Sequence, residues 1–253
     1  MILQRLIRNP LASPDIMGIS AGATLALVLG VLLGGSSIHD GGPLLAFGGS
    51  MAVLAILLLL GRRHGYAPAM MALVGIALAA FLDALLQFTL AKGNDQVFAI
   101  LGWLSGSTYR VSEAQAGWLT AGILLTWLLA LASGRGLTLV SIGDGIALGR
   151  GLALDRTRVL LLVLVSVICA LVTAVMGPVA FVGLLAPHMA SLLGARKAGP
   201  QLLLASLLGM ALMLLSDWLG RVLLYPMQLP AGTLASIMGG TYFIYLLARK
   251  RAL

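Results

Sequence analysis

Two pairs of polar residues lie four positions apart inside otherwise apolar stretches. Asp217 and Arg221 form one pair, and Asp83 and Gln87 form the other. Residues four apart share one face of a helix, and charges within a membrane span are usually paired or functional. Asp217 and Arg221 are therefore either a structural ion pair or a place where Arg221, near the outer end of its span, meets an acidic partner. Asp83 and Gln87 either line a translocation path or bond to a neighbouring helix.

A serine and a histidine raise the question of hydrolysis. The segment Gly18-Ile-Ser-Ala-Gly22 matches the G-x-S-x-G nucleophile motif, in which Ser20 would attack with His188 as its base. That motif requires a strand-turn-helix setting, and no strand is expected here. His188 could equally be a proton relay, or could pack and bond to a carbonyl group. An intramembrane protease therefore stays an alternative that one motif supports.

Other kinds of site are not indicated by the sequence. No second His or Cys stands at ligand spacing from His188, so we predict no metal site. No G-x-x-x-x-G-K-[ST] motif occurs, so the chain is not expected to bind ATP through a P-loop. We therefore expect no cofactor site on this chain.

The composition predicts a membrane protein. Hydrophobic residues make up 60% of the 253 residues and charged residues 9%, and the mean hydropathy is +1.06. A soluble domain usually has about 25% charged residues, and a membrane helix needs about 20 apolar residues. We predict an all-α, polytopic transmembrane bundle that forms one domain over 1–253, with eight spans: 17–34, 44–60, 67–91, 116–133, 158–176, 178–194, 201–224 and 231–248.

Two stretches are expected to depart from simple spanning helices. The apolar segment 97–109 is too short to span and is interrupted by glycine, which favours a short re-entrant or interfacial helix covered by protein. Gly177-Pro178 is expected to divide a long apolar run into two helices, because proline fits the first turn of a helix and not its middle.

The basic residues predict the orientation. The formal net charge is +8, but basic residues in short loops orient membrane helices, so no nucleic-acid partner is expected. Eight spans place both chain ends on one side, which the positive-inside rule makes cytoplasmic. That side holds 13 of the 16 basic residues, namely Arg5, Arg8, Arg62, Arg63, Arg135, Arg150, Arg156, Arg158, Arg196, Lys197, Arg249, Lys250 and Arg251, and the other side holds Lys92, Arg110 and Arg221.

The longest loop on the basic side runs from 134 to 158. It is mildly apolar, is broken by glycines and has basic ends. Short helices with apolar faces at a membrane edge either dock on a cytosolic partner or lie on the lipid surface. Both interpretations stay open on the residues alone.

Three motifs, in order along the chain, resemble those of one transporter family. The motifs are Arg8-Asn-Pro-Leu-Ala-Ser-Pro-Asp-Ile-Met-Gly-Ile-Ser-Ala-Gly-Ala23, the segment 177–190, and Leu229-Pro-Ala-Gly232 followed by Gly239-Gly240. They resemble the FecCD family, the permease subunits of type II ABC importers for siderophores, haem and vitamin B12. The matching signature residues are Asn9, Pro10, Gly18, Ser20, Gly22, Gly177, Pro178, Gly183, Pro187, His188, Pro230 and Gly232.

The resemblance implies a fold and partners. Family subunits have ten helices, so this chain is expected to lack the first two, and its signatures look most like the C-terminal half of the double-length ferric hydroxamate permeases. The implied protein carries iron(III)-siderophore complexes across the bacterial inner membrane. Its implied partners are a cytosolic ABC ATPase dimer that holds ATP and Mg²⁺, a second permease half and a periplasmic siderophore-binding protein.

The resemblance also assigns roles to residues. The loop 134–158 looks like the coupling helices that sit on the ATPase, with Ser141, Gly143, Asp144, Ala147, Leu148, Gly149 and Arg150 as the coupling residues. Gly149 falls on a family glycine where a backbone turn is expected. Arg221 and Gln228 fall where the binding protein docks. The alternative is a proton- or sodium-coupled secondary transporter with Asp83 and His188 as relay groups.

Overall fold

The computed structural model describes residues 1–34, 41–63, 65–91, 97–109 and 111–250, and the regular elements in them are helices. Lys92, Arg110 and Arg251, which were used to orient the chain, lie outside the described residues. The helices are α1 (Ile2–Ile7), α2 (Ile19–Gly34), α3 (Gly42–Arg62), α4 (Pro68–Ala91), α5 (Val97–Leu104), α6 (Glu113–Ala132), α7 (Gly134–Ile142), α8 (Asp144–Gly149), α9 (Leu154–Met176), α10 (Val182–Leu192), α11 (Ala198–Val222) and α12 (Ala231–Lys250).

The prediction of an all-α, polytopic membrane bundle is confirmed. Within the described residues, five helices are long and apolar enough to cross a bilayer: α3, α4, α6, α9 and α11. α2 and α10 are apolar but shorter. The count of eight spans stays a prediction.

The stretch between α9 and α10 departs from the predicted span 178–194. The chain breaks at Gly177 as predicted, but Pro178 does not open the next helix, because residues 177–180 are irregular and α10 begins only at Val182. Phe181 before it has φ 66°, a left-handed conformation. The 11 residues of α10 rise about 16 Å at 1.5 Å per residue, which is about half of a bilayer core.

The short helix α5 agrees with the expectation for 97–109. It has eight residues, and its side chains Ile100 and Trp103 are buried in a cluster with residues of α2 and α3. Protein therefore covers this non-spanning segment, as the absence of water in a bilayer requires.

The helix α9 is the centre of the bundle, and it packs against α1, α2, α3, α6, α7 and α8. The helix α1 was not anticipated from the sequence. It lies against α7 and α9 and buries Ile2, Leu3 and Leu6 in the larger of the two apolar clusters.

Two glycines allow α2 and α3 to cross at backbone contact. A Cβ atom on Gly49 of α3 would overlap the carbonyl oxygen of Gly22 in α2, and a Cβ atom on Gly22 would lie 2.8 Å from the carbonyl oxygen of Gly49. Small residues at such crossings are how membrane helices gain packing energy in lipid. Gly48, one residue earlier, has no heavy atom within 4 Å of a built Cβ.

Gly49→Ala is therefore expected to destabilise the bundle by about 1–3 kcal/mol, because the added methyl group must push the two helices apart. The measurement is thermal unfolding of the purified chain in detergent. Gly48→Ala is the matched control and should be neutral or stabilising by up to about 1 kcal/mol, since alanine favours a helix. Equal effects of the two substitutions would contradict the assignment of this crossing.

Candidate functional site

The loop 134–158 folds into two short helices with a glycine joint. α7 follows α6 directly at Ser133, and α8 begins after Gly143, whose φ 148° and ψ 152° suit glycine and not other residues. The two helices present apolar side chains to the surroundings: Ile142, Ile146 and Leu148 are 56%, 51% and 58% exposed. This end of the bundle therefore carries an exposed apolar surface of Ile142, Ile146 and Leu148, which we call the α7–α8 surface.

Asp144, the first residue of α8, holds this surface to the bundle. Both carboxylate oxygens accept hydrogen bonds from Nη2 of Arg158 in α9, each 2.8 Å long. Arg8, just after α1, donates to the same carboxylate. Arg158 is buried, and it also donates to the carbonyl oxygen of Gly65 between α3 and α4. The carboxylate thus joins α8 to two other segments of the bundle, and Arg158 extends the connection to a third.

The charges around Asp144 set its titration. Partial burial raises the pKa of this carboxyl, but the hydrogen bonds from Arg158 and Arg8 outweigh burial, so its pKa lies below the ordinary value. The ionised carboxylate is therefore the form that the fold stabilises. Ion pairs of this kind contribute through hydrogen-bond geometry more than through charge alone.

The other predicted coupling residues divide into inward and outward positions. Ala147 is fully buried, and the Ser141 hydroxyl donates to the carbonyl oxygen of Thr138 at 2.7 Å. Leu148, Gly149 and Arg150 are exposed. The expectation of a backbone turn at Gly149 is wrong, because Gly149 is the last residue of α8 and the positive φ angle falls on Gly151, at 73°.

At the opposite end of the bundle, Asp217 and Arg221 form the ion pair that their spacing allowed. Arg221 Nε donates to Asp217 at 2.8 Å, and Thr108 donates to the same carboxylate. The Arg221 side chain is 50% exposed. Gln228 is also exposed, and the neighbouring Tyr225 presents most of its ring to the surroundings.

A polar cavity of about 450 Å³ lies between the broken segment 177–181, α2, α4, α5 and α12. Two carboxylates, Asp15 and Asp83, line it. Ser20 donates to Asp15 at 2.9 Å. Further hydroxyl groups of the lining belong to Thr24, Ser105, Thr233 and Ser236. Irregular backbone is tolerated at membrane depth where it lines such a cavity.

Comparison with known proteins identifies the family. The family model described as the FecCD transport family matches residues 1–249. This chain belongs to the FecCD transport family. The resemblance inferred from the three motifs is thereby confirmed.

The chain is similar to several permeases of this family. It is 40% identical over 253 residues to the iron(3+)-hydroxamate import system permease protein FhuB of Escherichia coli (strain K12), covering 98% of this chain and 38% of that protein. It is 37% identical over 253 residues to the Fe(3+)-citrate import system permease protein YfmE of Bacillus subtilis (strain 168), covering 99% of this chain and 76% of that protein. The chain therefore spans less than two fifths of FhuB and about three quarters of YfmE.

A solved structure shares the fold. It is described as an inward-facing conformation of a metal-chelate type ABC transporter, and it matches with a TM-score of 0.89 at 25% identity, over 98% of this chain and 80% of that chain. The helices of the described residues thus have the fold of that transporter chain.

The FecCD signatures meet at the end of α5. Gly232 donates its N–H to the carbonyl oxygen of Gly106 at 2.9 Å, and Ser107 donates its N–H to Met176 at 2.8 Å. A Cβ atom on Gly177 would overlap the carbonyl oxygen of Trp103. The second and third signatures therefore pack on α5, the short helix that the sequence predicted only as a non-spanning segment.

The other signature residues have structural positions. In the first signature, the Asn9 side chain accepts from the N–H of Leu11 at 2.9 Å, which forms the turn after α1. In the second, Pro187 lies inside α10, and its carbonyl oxygen accepts from Ser191 at 3.0 Å. These contacts close turns and bends that a regular helix could not satisfy.

The residues predicted for a translocation path are not brought together. Asp83 lines the polar cavity, whereas Gln87 is exposed outside its lining. Asp217 belongs to the ion pair with Arg221. His188 lines a different cavity at the basic end and contacts the rings of Tyr242 and Phe243.

The arrangement does not favour hydrolysis by Ser20. Its hydroxyl donates to Asp15 and not to His188, which lines the other cavity. Within the described residues, no group of three or more His, Cys, Asp and Glu side chains is placed to hold a metal ion.

Sequence reasoning missed three residues that the structure places in these sites. Asp15 was quoted only as part of a motif, although a carboxylate beside an apolar span is a signal for a functional position. Ile142 and Ile146 are four apart in a loop otherwise broken by glycines. That spacing would predict one apolar helix face, but the joint at Gly143 places the two residues on separate helices, so local spacing could not have located the α7–α8 surface.

Asp144→Asn is expected to destabilise the chain by about 1–3 kcal/mol at pH 7, because it weakens the hydrogen bonds of a buried arginine. Since the pKa of Asp144 is lowered on folding, its contribution is present above the unfolded-state value of about 3.9 and is lost as the pH falls through the lower folded-state pKa. The measurement is thermal unfolding in detergent between pH 7 and pH 3.

The difference between wild type and Asp144→Asn should therefore shrink below about pH 4. Asp155→Asn, in the exposed first turn of α9, is the control and should change stability by less than about 0.5 kcal/mol. A difference that persists unchanged at pH 3 would contradict the ion-pair assignment.

Proposed function

We propose that this chain is a membrane-spanning translocation subunit of an ATP-driven importer that carries iron(III)-hydroxamate siderophores across the bacterial inner membrane. It performs no covalent chemistry. ATP and Mg²⁺ belong to partner ATPase subunits, and the chain works by favouring different helix packings in different nucleotide states, which requires different contacts in each state.

The observation that carries this proposal is the α7–α8 surface. Three large apolar side chains, Ile142, Ile146 and Leu148, are exposed on two short helices at the end of the bundle that is rich in arginine. Clusters of exposed apolar side chains commonly mark a surface that a protein partner or a membrane covers. We infer that a cytosolic ABC ATPase dimer covers them.

The arrangement of Asp144 supports a coupling role for this surface. The ion pairs with Arg8 and Arg158 face the bundle, whereas Ile142, Ile146 and Leu148 face away from it. A short helix that is tied on one side and apolar on the other can pass a displacement from a bound partner to the membrane helices. Asp144 is therefore a positioning residue, and the exposed side chains are the contact residues.

We propose that the polar cavity forms part of the path along which the substrate moves. It has hydroxyl and carboxylate groups but no basic side chain in its lining, which suits an uncharged chelate better than an anionic one. The relatives include proteins named for hydroxamate and for citrate, and a neutral iron(III)-trihydroxamate complex fits this lining better than a citrate complex. A second permease half would complete the path.

Two further assignments belong to this proposal. The arginine-rich end is cytoplasmic, in accord with the positive-inside rule, and both chain ends lie there. A periplasmic siderophore-binding protein docks at the other end, on the exposed region of Arg221, Tyr225 and Gln228. Arg221 would stay paired with Asp217 while it contacts the binding protein. The ion pair would therefore reduce the contribution of Arg221 to docking.

The secondary-transporter alternative has less support. It needs Asp83 and His188 to relay protons along one path, but these residues line separate cavities. Proton relays in membranes are chains of neighbouring titratable groups. We find no such chain between the two among the described residues.

Ile146→Glu and Gly149→Arg are each expected to lower co-purification of a P-loop ATPase from detergent-solubilised membranes by more than about tenfold. Both should fold, because Ile146 is 51% exposed and a Cβ atom on Gly149 would meet open space. Arg63→Glu, exposed at the end of α3, is the control and should leave co-purification unchanged.

The result that would overturn the proposal is equally concrete. If no ATPase accompanies the wild-type chain, and uptake survives in membranes that are depleted of ATP but energised by an ion gradient, the chain is a secondary transporter.

Ser236→Trp is expected to lower uptake of radiolabelled iron(III)-hydroxamate by more than about tenfold, because an indole would fill much of the polar cavity. ATPase co-purification should stay unchanged, since Ser236 lines the polar cavity and does not belong to the α7–α8 surface. Thr241→Trp, exposed on the same helix α12 and outside the cavity lining, is the matched control. Equal uptake by both variants would remove the cavity from the path.

A further inference from the structure

A second polar cavity lies at the arginine-rich end, between α1, α7, α10 and α11. Its volume is about 340 Å³, and we call it the α1–α10 pocket. Donors in its lining include the side chains of Gln4, Arg5, Arg8, Ser141, His188 and Gln201. Arg8 and Ser141 also adjoin the α7–α8 surface, but the proposed transport function assigns no ligand to this pocket.

Arg5 at the centre of the pocket has neutral partners. Its Nε donates to the side-chain oxygen of Gln201 at 2.8 Å, and Nη2 donates to the carbonyl oxygen of Arg196 at 2.6 Å. Nη1 reaches the Ser141 hydroxyl at 3.4 Å. In the part of the chain that the structure describes, no Asp or Glu forms an ion pair with Arg5. A guanidinium has five N–H donors, so this one has donors left for a ligand.

The surroundings of Arg5 are positively charged as well. Asp144 is the carboxylate at this end of the bundle that forms ion pairs, and it is already shared by Arg8 and Arg158. The turn before α11 adds Arg196 and Lys197. Partial burial lowers the pKa of Arg5, which reflects the cost of removing this cation from water without a counter-charge. An anion in the pocket would offset that cost.

Exposed apolar residues follow the pocket lining along the chain. Ser191 belongs to the lining, and the next two residues, Leu192 and Leu193, are 64% and 66% exposed. A ligand here would meet cations at one end and aliphatic side chains at the other, which is the chemistry of an amphiphile.

We propose that the α1–α10 pocket binds the phosphate group of an anionic phospholipid, with Arg5 as the principal contact. Arginine forks bind phosphate oxygens in pairs, and basic pockets between membrane helices on the cytoplasmic side are a known way to hold lipid headgroups. Leu192 and Leu193 would then contact the acyl chains. Because Arg5 also joins α1, α7 and α11, the bound lipid would brace those three helices together.

The test uses the full chain purified in a zwitterionic detergent and titrated with phosphatidylglycerol or phosphatidylcholine. Native mass spectrometry counts the retained lipid. The wild type is expected to retain phosphatidylglycerol in preference to phosphatidylcholine, and Arg5→Gln is expected to weaken that binding about tenfold. Arg135→Gln, which removes the same charge from an exposed position of α7 outside the pocket, should bind phosphatidylglycerol like the wild type.

Inorganic phosphate distinguishes the source of the anion. If millimolar phosphate alone displaces phosphatidylglycerol completely from the wild type, the pocket is a site for a soluble anion, and the lipid proposal fails. Equal losses in Arg5→Gln and Arg135→Gln would indicate diffuse charge attraction and would also overturn it. Retention of phosphatidylglycerol in the wild type without competition by phosphate supports it.

Arg5→Gln also removes contacts within the protein, so a second variant is needed. Ser191→Asp places a carboxylate at an exposed position of the pocket and leaves Arg5 in place. It should weaken phosphatidylglycerol binding by a similar factor. Ser191→Asn changes the same contacts to Pro187 and Gln201 without adding a charge, and should bind phosphatidylglycerol like the wild type. Unchanged lipid binding in Ser191→Asp would overturn the proposal even if Arg5→Gln fails to fold.

Discussion

Three backbone segments meet at the end of α5 without room for side chains, and the architecture of the cavity depends on this contact. Gly106, Gly177 and Gly232 each face a neighbouring carbonyl oxygen that a Cβ atom would approach too closely. α5 is too short to cross a bilayer, so its terminal polar groups must be satisfied by protein. The hydrogen bonds from Ser107 to Met176 and from Gly232 to Gly106 meet that requirement. The same contact fixes Ser105, Pro178 and Thr233, which form one wall of the cavity.

Ion pairs hold the helices together at the arginine-rich end, whereas close backbone packing holds them together at the end of α5. Exposed ion pairs contribute little, but Arg158 is buried and bound by both oxygens of Asp144. Removing one partner would leave a buried charge, which is costly. The position of α8 is therefore well defined although the helix has only six residues. A surface that is fixed in this way can move as one unit when a partner binds to it.

Local patterns in the sequence predicted the features that depend on nearby residues. The ion pair of Asp217 and Arg221, the short helix in 97–109 and the break at Gly177 all follow from spacing or from glycine and proline chemistry. The contact between Arg8 and Asp144 joins residues 136 positions apart, and no local pattern encodes it. For the same reason the sequence could not show that Asp83 and His188 line separate cavities, or that Asp15 lies beside Asp83. The predicted helix start at Pro178 is wrong, because the backbone around Pro178 is irregular and lines the polar cavity.

The helix α9 connects the two ends of the molecule as one rigid element. α9 begins near Arg158, which binds Asp144, and ends at Met176, whose carbonyl oxygen holds the N–H of Ser107 after α5. Its 23 residues extend about 34 Å at 1.5 Å per residue. A continuous helix resists bending, so a displacement of α8 that moves Arg158 must also reach the segment that closes the cavity. The contact between Arg158 and Asp144 at one end of α9 and the backbone contact of Met176 at the other end are thus joined by one continuous helix. The coupling proposed above would use that helix. A coupling mechanism therefore needs no additional moving part between the α7–α8 surface and the cavity.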